Sequence, residues 1–137
     1  MIYLDSNVFV IASNRDDERW DQAMELLGRM EEGDIQCCTS VITVEEVVWG
    51  VSNLVGRKEA KEVWESILEE PNLRFVPLEE LDISSAKDYF PKLDPRDCLH
   101  LQTFKKSKSD FLVTEDKDFD NLEEIKSLPI SEFLEKF

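Results

Sequence analysis

Apolar residues come in short blocks along this chain, and their spacing changes from block to block. Ile2, Tyr3 and Leu4 form a run of strand-forming type that passes at once into Asp5, Ser6 and Asn7, which predicts a strand ending in a polar loop. Val8 to Ala12 predict a helical or irregular continuation. Trp20, Ala23, Met24, Leu27 and Met30 recur at intervals of three and four, the period of one helix face. A helix capped by Asp16 or Asp17 is therefore expected through Glu32. Gly33 and Asp34 supply a turn, and Ile35 to Ser40 predict a second strand.

From Ser40 onward the period is helical again. Thr43 with Glu46 three residues later has the form of a capping box, which would place the helix start there. A second helix is expected from Arg57 to Leu68, with Ala60, Val63, Trp64 and Ile67 on its inner face, closed by Pro71 and Asn72. Leu73 to Val76 predict a third strand and Leu78 to Tyr89 a further helix. Asp94 before Pro95 opens the next one, with the acid at the N-cap and proline at the first helical position. Lys105, Lys106 and Lys108 end it, where cations offset the helix dipole. Phe111 to Val113 predict a fourth strand, Pro129 and Ile130 a short last one, and Ser131 the start of a terminal helix. Strands alternating with helices over 137 residues predict a single α/β domain spanning residues 1–137.

Charge narrows the function classes. Thirty-one acids against sixteen Lys and Arg give a net charge of −15, which repels a phosphate backbone at long range and argues against a broad, nonspecific nucleic-acid binder. Such a surface suits a basic partner or a site loaded with cations. No run approaches the roughly 18 apolar residues of a membrane span, and no basic segment precedes an apolar one at the start, so a soluble cytoplasmic protein is expected. Cys37, Cys38 and Cys98 lack metal-ligand spacing and read as reduced core thiols.

The candidate chemistry lies in acids at element ends. Asp5 follows the first strand, and in parallel α/β sheets ligands bind beyond the carboxyl ends of the strands. Thr114, Glu115, Asp116 and Asp118 repeat the pattern after the fourth strand. Glu46 and Asp97 sit near helix starts, where capping competes with function; Glu45, about 100° around the helix, is expected in solvent. His100, one turn beyond Asp97, reads as a packed, hydrogen-bonded core residue rather than a ligand. Two carboxylates about 4 Å apart repel by roughly 4 kcal/mol at an effective dielectric of 20, so a cluster of four needs protons or cations. Hard divalent ions such as Mg²⁺ or Mn²⁺ prefer such oxygen ligands.

Leu4-Asp5-Ser6-Asn7, Ser40-x-x-Thr43-x-x-Glu46, Asp97-x-Leu99-His100-Leu101 and Thr114-x-Asp116-x-Asp118-Phe119 resemble, in order, the four motifs of PIN-domain ribonucleases. The resemblance covers essentially the whole chain, whose length is similar to that of stand-alone PIN toxins of toxin-antitoxin pairs. It implies a three-layer α/β/α sandwich with a central, mainly parallel sheet, one or two Mg²⁺ or Mn²⁺ ions, and hydrolysis of RNA to 5′-phosphate and 3′-hydroxyl ends. It also implies that Asp5, Glu46, Asp97 and Asp116 bind metal and are catalytic, with Asp118 an accessory ligand and Asn7 and Thr114 in support. The negative charge then favours a short RNA footprint or a structured loop as substrate, and an antitoxin protein with a basic segment as partner. A homodimer is also implied. Trp49 and Trp64 could serve that interface, but the helical pattern assigns them to the core. A noncatalytic PIN-fold module binding RNA or protein is the alternative. A phosphoacceptor receiver would want an acidic pair after the first strand and an Asp after the middle one, where Val76-Pro77 stand; a haloacid-dehalogenase-type phosphatase would want Asp where Asn7 stands.

Overall fold

The computed structural model describes residues 1–137. The chain runs β1 (Ile2–Leu4), α1 (Ser6–Ala12), α2 (Trp20–Glu31), β2 (Cys37–Ser40), α3 (Val41–Leu54), α4 (Arg57–Glu69) and β3 (Leu73–Val76). It continues with α5 (Glu80–Ala86), a 3-10 turn (Lys87–Tyr89), α6 (Pro95–Ser107), β4 (Phe111–Val113), a second 3-10 turn (Lys117–Phe119), β5 (Ser127–Leu128) and α7 (Ile130–Lys136). All pairings are parallel and the strand order is β3-β2-β1-β4-β5. A receiver domain has the order 2-1-3-4-5, so the topology excludes that reading.

Alternation along the strands divides the core in two. Leu4, Cys37, Leu73 and Val113 face one side and pack with residues of α1, α2, α3, α4 and α7. Their chain neighbours Tyr3, Cys38 and Leu112 face the other side, against α5, α6 and the segment around Phe119, Leu122 and Ile125. These are the three layers that the PIN resemblance implies. The same alternation explains the adjacent cysteines: Cys37 and Cys38 are both buried free thiols, one in each core.

Several element boundaries differ from the sequence expectation, each for a local reason. Helix α1 begins at Ser6 rather than Val8, because Asp5 itself caps it through the Ser6 amide. Helix α2 begins at Trp20, not after Asp16 or Asp17: the Asp17 carboxylate accepts from the Arg19 amide and pairs with its guanidinium, holding a turn ahead of the helix. Its buried stripe is Ala23, Leu26 and Met30, with Met24 exposed. Strand β2 is Cys37–Ser40, shorter than the Ile35–Ser40 expected. The segment 78–89 divides into α5 and a 3-10 turn, since Glu79 and Asp82 form a capping box that starts the helix late. Pro129 caps α7 and the fully buried Ile130 is helical, so the last strand is Ser127–Leu128 instead.

Two corrections bear on function. Helix α3 starts at Val41 with Ser40 as its N-cap, the Ser40 hydroxyl accepting from the Ile42 amide. Thr43 is therefore not a cap, and Glu46 lies in the second turn, beyond reach of any capping role. Trp49 and Trp64, assigned above to the core, are 63% and 46% exposed. They line an apolar groove between α3 and α4 with Val41, Val44, Val48 and Leu68. Gly56, at φ 145°, makes the sharp turn that folds α4 back on α3.

Candidate functional site

The register of β1 against β4 creates the site. Leu4 pairs with Val113, so the next residues, Asp5 and Thr114, emerge side by side at the carboxyl edge of the sheet. This is the point where the strand order turns from β2 on one side of β1 to β4 on the other, the usual crevice for ligands in such sheets. Asp5 is buried and firmly held. Its Oδ1 accepts from the Ser6 amide at 2.8 Å, and its Oδ2 accepts from the Thr114 hydroxyl at 2.7 Å and from Asn7 Nδ2 at 3.2 Å. Asn7 also accepts the Glu115 amide at 3.2 Å, and the Thr114 hydroxyl accepts the Asp116 amide at 3.0 Å, so the loop after β4 is tied to the loop after β1. The Asp116 carboxylate in turn accepts the Asp118 amide at 2.9 Å.

Glu46 and Asp97 arrive from helices. Glu46 is partly buried, one residue before the fully buried Val47 of α3, while Glu45 is exposed and pairs with Arg96 at 3.2 Å. Asp97 is at the third position of α6, where its amide donates to the Asp94 cap at 2.9 Å. Its carboxylate does not return a bond to the cap and accepts none from the rest of the protein.

The acids converge in two groups. Asp5, Glu46 and His100 bring one ligand atom each within 4.8 Å of one another, as do Asp97, Asp116 and Asp118. The groups feel each other. Burial first, then Asp94, Asp116 and Asp5, push the Asp97 carboxyl up to about 7. Burial, with the fields of Asp118, Asp5 and Asp94, also raises Asp116, against the hydrogen bond from the Asp118 amide.

His100 belongs to this site although its sequence context did not show it. It is packed and hydrogen-bonded, as expected of a core histidine, but one of its partners is Glu46: Nε2 lies 2.5 Å from Oε1. Nδ1 meets the hydroxyl of the fully buried Tyr3 at 2.9 Å, and that hydroxyl meets Thr103 Oγ1 at 2.9 Å. Burial opposes charge on the ring, but the hydrogen bond to Glu46 and the fields of Asp5, Glu46 and Asp97 outweigh it, and the imidazole is raised above its ordinary value. Tyr3, two residues before Asp5 on β1, is raised chiefly by burial and stays a neutral hydroxyl. Tyr3 stands two residues before Asp5 and His100 one helical turn from Asp97, but neither spacing points to the contact with Glu46.

These shifts set the direction of a stability change. Asp97, Asp116 and His100 hold protons more tightly in the folded chain than in the unfolded one, where Asp titrates near 4 and His near 6.5. Between about pH 5 and pH 8 the folded state therefore carries excess protons, and the stability of the metal-free protein falls as pH rises. Urea melts in EDTA are expected to show a lower midpoint at pH 8 than at pH 5, with Mn²⁺ restoring part of the loss at pH 8. A midpoint that climbs with pH in EDTA would contradict the proton excess assigned to these groups.

The candidate donors are five carboxylates with one imidazole alongside, and two of the carboxyls are raised first by burial and then by their acidic neighbours. That composition fits a hard divalent cation of the Mg²⁺ or Mn²⁺ kind. Fold and site together define an α/β protein with an acidic centre at the switch point of a parallel sheet. The PIN domain pattern matches residues 2–125, and the chain belongs to the PIN domain family.

Solved structures carry the same fold. VapC20 of Mycobacterium tuberculosis, a sarcin-ricin loop cleaving toxin, superposes with a TM-score of 0.73 at 16% identity over 88% of this chain and 93% of that one. VapBC2 from Rickettsia felis, bound to a DNA fragment from its promoter, gives 0.69 at 18% identity over 94% and 98%. FitAcB from Neisseria gonorrhoeae gives 0.66 at 21% identity over 96% and 99%. No curated protein sequence matches the chain.

Proposed function

We propose that this protein is a metal-dependent endoribonuclease and the toxin of a toxin-antitoxin pair. The observation that carries the reading is the convergence, in a PIN domain, of Asp5, Glu46, Asp97, Asp116 and Asp118 from two strand ends and two helices. Asp5, Glu46, Asp97 and Asp116 would hold Mg²⁺ or Mn²⁺ and act in catalysis, with Asp118 an accessory ligand. The chemistry such an ion supplies is acidification of water at neutral pH and polarisation of a phosphoryl oxygen. Asn7 and Thr114 fix the Asp5 carboxylate and join it to the loop that carries Asp116.

The net charge of −15 favours a structured RNA whose loop alone enters the site, a mode in keeping with the name of the VapC20 toxin. The same charge favours an antitoxin with a basic segment, and a neighbour from Klebsiella pneumoniae is a toxin–antitoxin complex. The exposed groove with Trp49 and Trp64 supports a homodimer, since apolar surface of that kind is best buried against protein. No helix is long and apolar enough to cross a membrane, and a cytoplasmic location belongs to the same proposal.

The test combines calorimetric Mn²⁺ titration with cleavage of a panel of RNA stem-loops by the same preparation. Saturable binding is expected, with cleavage in the loop that leaves 5′-phosphate ends and stops in EDTA, and no turnover of a chromogenic phosphomonoester. A protein that neither binds Mn²⁺ nor cleaves would be a noncatalytic module, and the nuclease reading would fall.

A further inference from the structure

Asp5 and Glu46 are restrained very differently. Asp5 has one short side chain gripped by the Ser6 amide, Asn7 and Thr114. Glu46 has an extra rotatable bond, lies in the second turn of α3, and is met by only two groups: His100 at 2.5 Å and Arg96 at 3.9 Å. Arg96 is exposed and already pairs with Glu45 at 3.2 Å. Long side chains lose substantial rotamer entropy when fixed, so one well-anchored contact decides where the Glu46 carboxylate spends its time.

His100 is such an anchor. The ring is 2% exposed, its edge packs against Tyr3 at a centroid distance of 6.1 Å and an interplanar angle of 86°, and Nδ1 meets the Tyr3 hydroxyl. Tyr3 is held in turn by Thr103, whose own hydroxyl lies 3.0 Å from the Leu99 and His100 carbonyls within α6. Thr103 and Tyr3 have no exposed surface. The chain Thr103–Tyr3–His100–Glu46 thus ties α6 and β1 to α3. When Tyr3 donates to Nδ1 of the neutral ring, and equally when the ring is protonated and Tyr3 accepts from Nδ1–H, Nε2–H points at Glu46; a neutral ring protonated only at Nδ1 would set a bare nitrogen against the carboxylate. His100 Nε2 is 3.9 Å from Asp5 Oδ1, too far to hydrogen-bond it.

We propose that His100 is a positioning residue: held by Tyr3 and Thr103, it keeps the Glu46 carboxylate turned toward Asp5 and is not itself a metal ligand. This rests on the nuclease reading for the identity of the site, and on the hydrogen-bond geometry for its own content. Groups that orient a metal ligand contribute about 10- to 100-fold in metal affinity.

His100 is the only histidine in the chain, so ring-nitrogen NMR of the intact protein reports on it alone. On titration with Mg²⁺, the Nε2–H signal is expected to persist and to shift with Glu46; its loss on metal binding would make His100 a ligand and overturn the proposal. Calorimetric Mn²⁺ affinity gives the second readout. His100→Ala is expected to weaken binding about 10- to 100-fold, with His100→Gln, whose amide can still donate to Glu46, recovering most of it. Tyr3→Phe, which keeps the core volume, is expected to give a smaller loss of the same sign. In a Glu46→Gln background His100→Ala should add little. Unchanged affinity in both Tyr3→Phe and His100→Ala, or equal losses with and without Glu46, would show that His100 does not act through Glu46. If the wild type binds no Mn²⁺, the nuclease reading itself fails and this proposal goes with it.

Discussion

Asp5→Asn is expected to abolish RNA cleavage and to lower Mn²⁺ affinity by at least about 100-fold while leaving the protein folded. A carboxylate and a divalent ion about 4 Å apart attract by roughly 8 kcal/mol at an effective dielectric of 20, and the amide retains only a small part of that. Folding is another matter. Asn is as good an N-cap as Asp, so α1 keeps the contact with the Ser6 amide, and the loss of one buried charge from a crowded cluster offsets a weakened bond to Thr114 or Asn7. Calorimetry, stem-loop cleavage and a thermal melt of the same variant separate the two effects. Retained Mn²⁺ affinity in a folded Asp5→Asn protein would remove Asp5 from the metal centre.

Asp97→Asn is expected to act in opposite directions on function and stability. The variant should bind Mn²⁺ on the order of 100-fold more weakly and cleave correspondingly slowly, because it loses a charged oxygen from the Asp97, Asp116, Asp118 group. The metal-free variant, by contrast, should melt a few degrees higher than wild type at pH 8, on the order of 1 kcal/mol once solvent screening of a partly exposed group is allowed for. The reason is its raised carboxyl: at pH 8 the wild-type group is ionised against burial and its acidic neighbours, and the amide is not. At pH 5 the wild-type carboxyl is already protonated, so the gain should vanish. A variant equally destabilised at both pH values would mean that Asp97 holds the helix start together and is not a strained ligand. The cap at that helix is Asp94, which the substitution leaves untouched.

These two acids also illustrate how site and scaffold share residues. Asp5 caps α1 and Asp97 sits in the first turn of α6, so both occupy positions where a carboxylate has a structural use. What distinguishes them is the rest of their surroundings. Asp5 faces Glu46 and His100 across the sheet edge, and Asp97 faces Asp116 with no hydrogen-bond donor turned to it.

Much of the scaffold was readable from local pattern alone. Ile2–Leu4, Leu73–Val76 and Phe111–Val113 are strands where short apolar runs predict them, and Asp94-Pro95 opens α6 where cap chemistry predicts it. Such signals are local: an apolar block, a cap and a breaker are written in adjacent residues, and the backbone obeys them wherever the segment ends up. The acids after β1 and β4 were equally legible, because strand ends in a parallel sheet share one edge.

What the tertiary structure alone decided are the choices for which local signals are degenerate or partners are distant. Ser40 and Thr43 are both competent N-caps; only the end of β2 selects Ser40, and that selection frees Glu46 from capping. Periodicity places Trp49 and Trp64 on helix faces without saying how far anything covers them, and this chain leaves both in large part exposed. His100 meets a tyrosine 97 positions away and a glutamate 54 positions away. A hydrogen bond between residues that far apart has no trace in local pattern, since only the packing of α6 and α3 around β1 brings its atoms within reach.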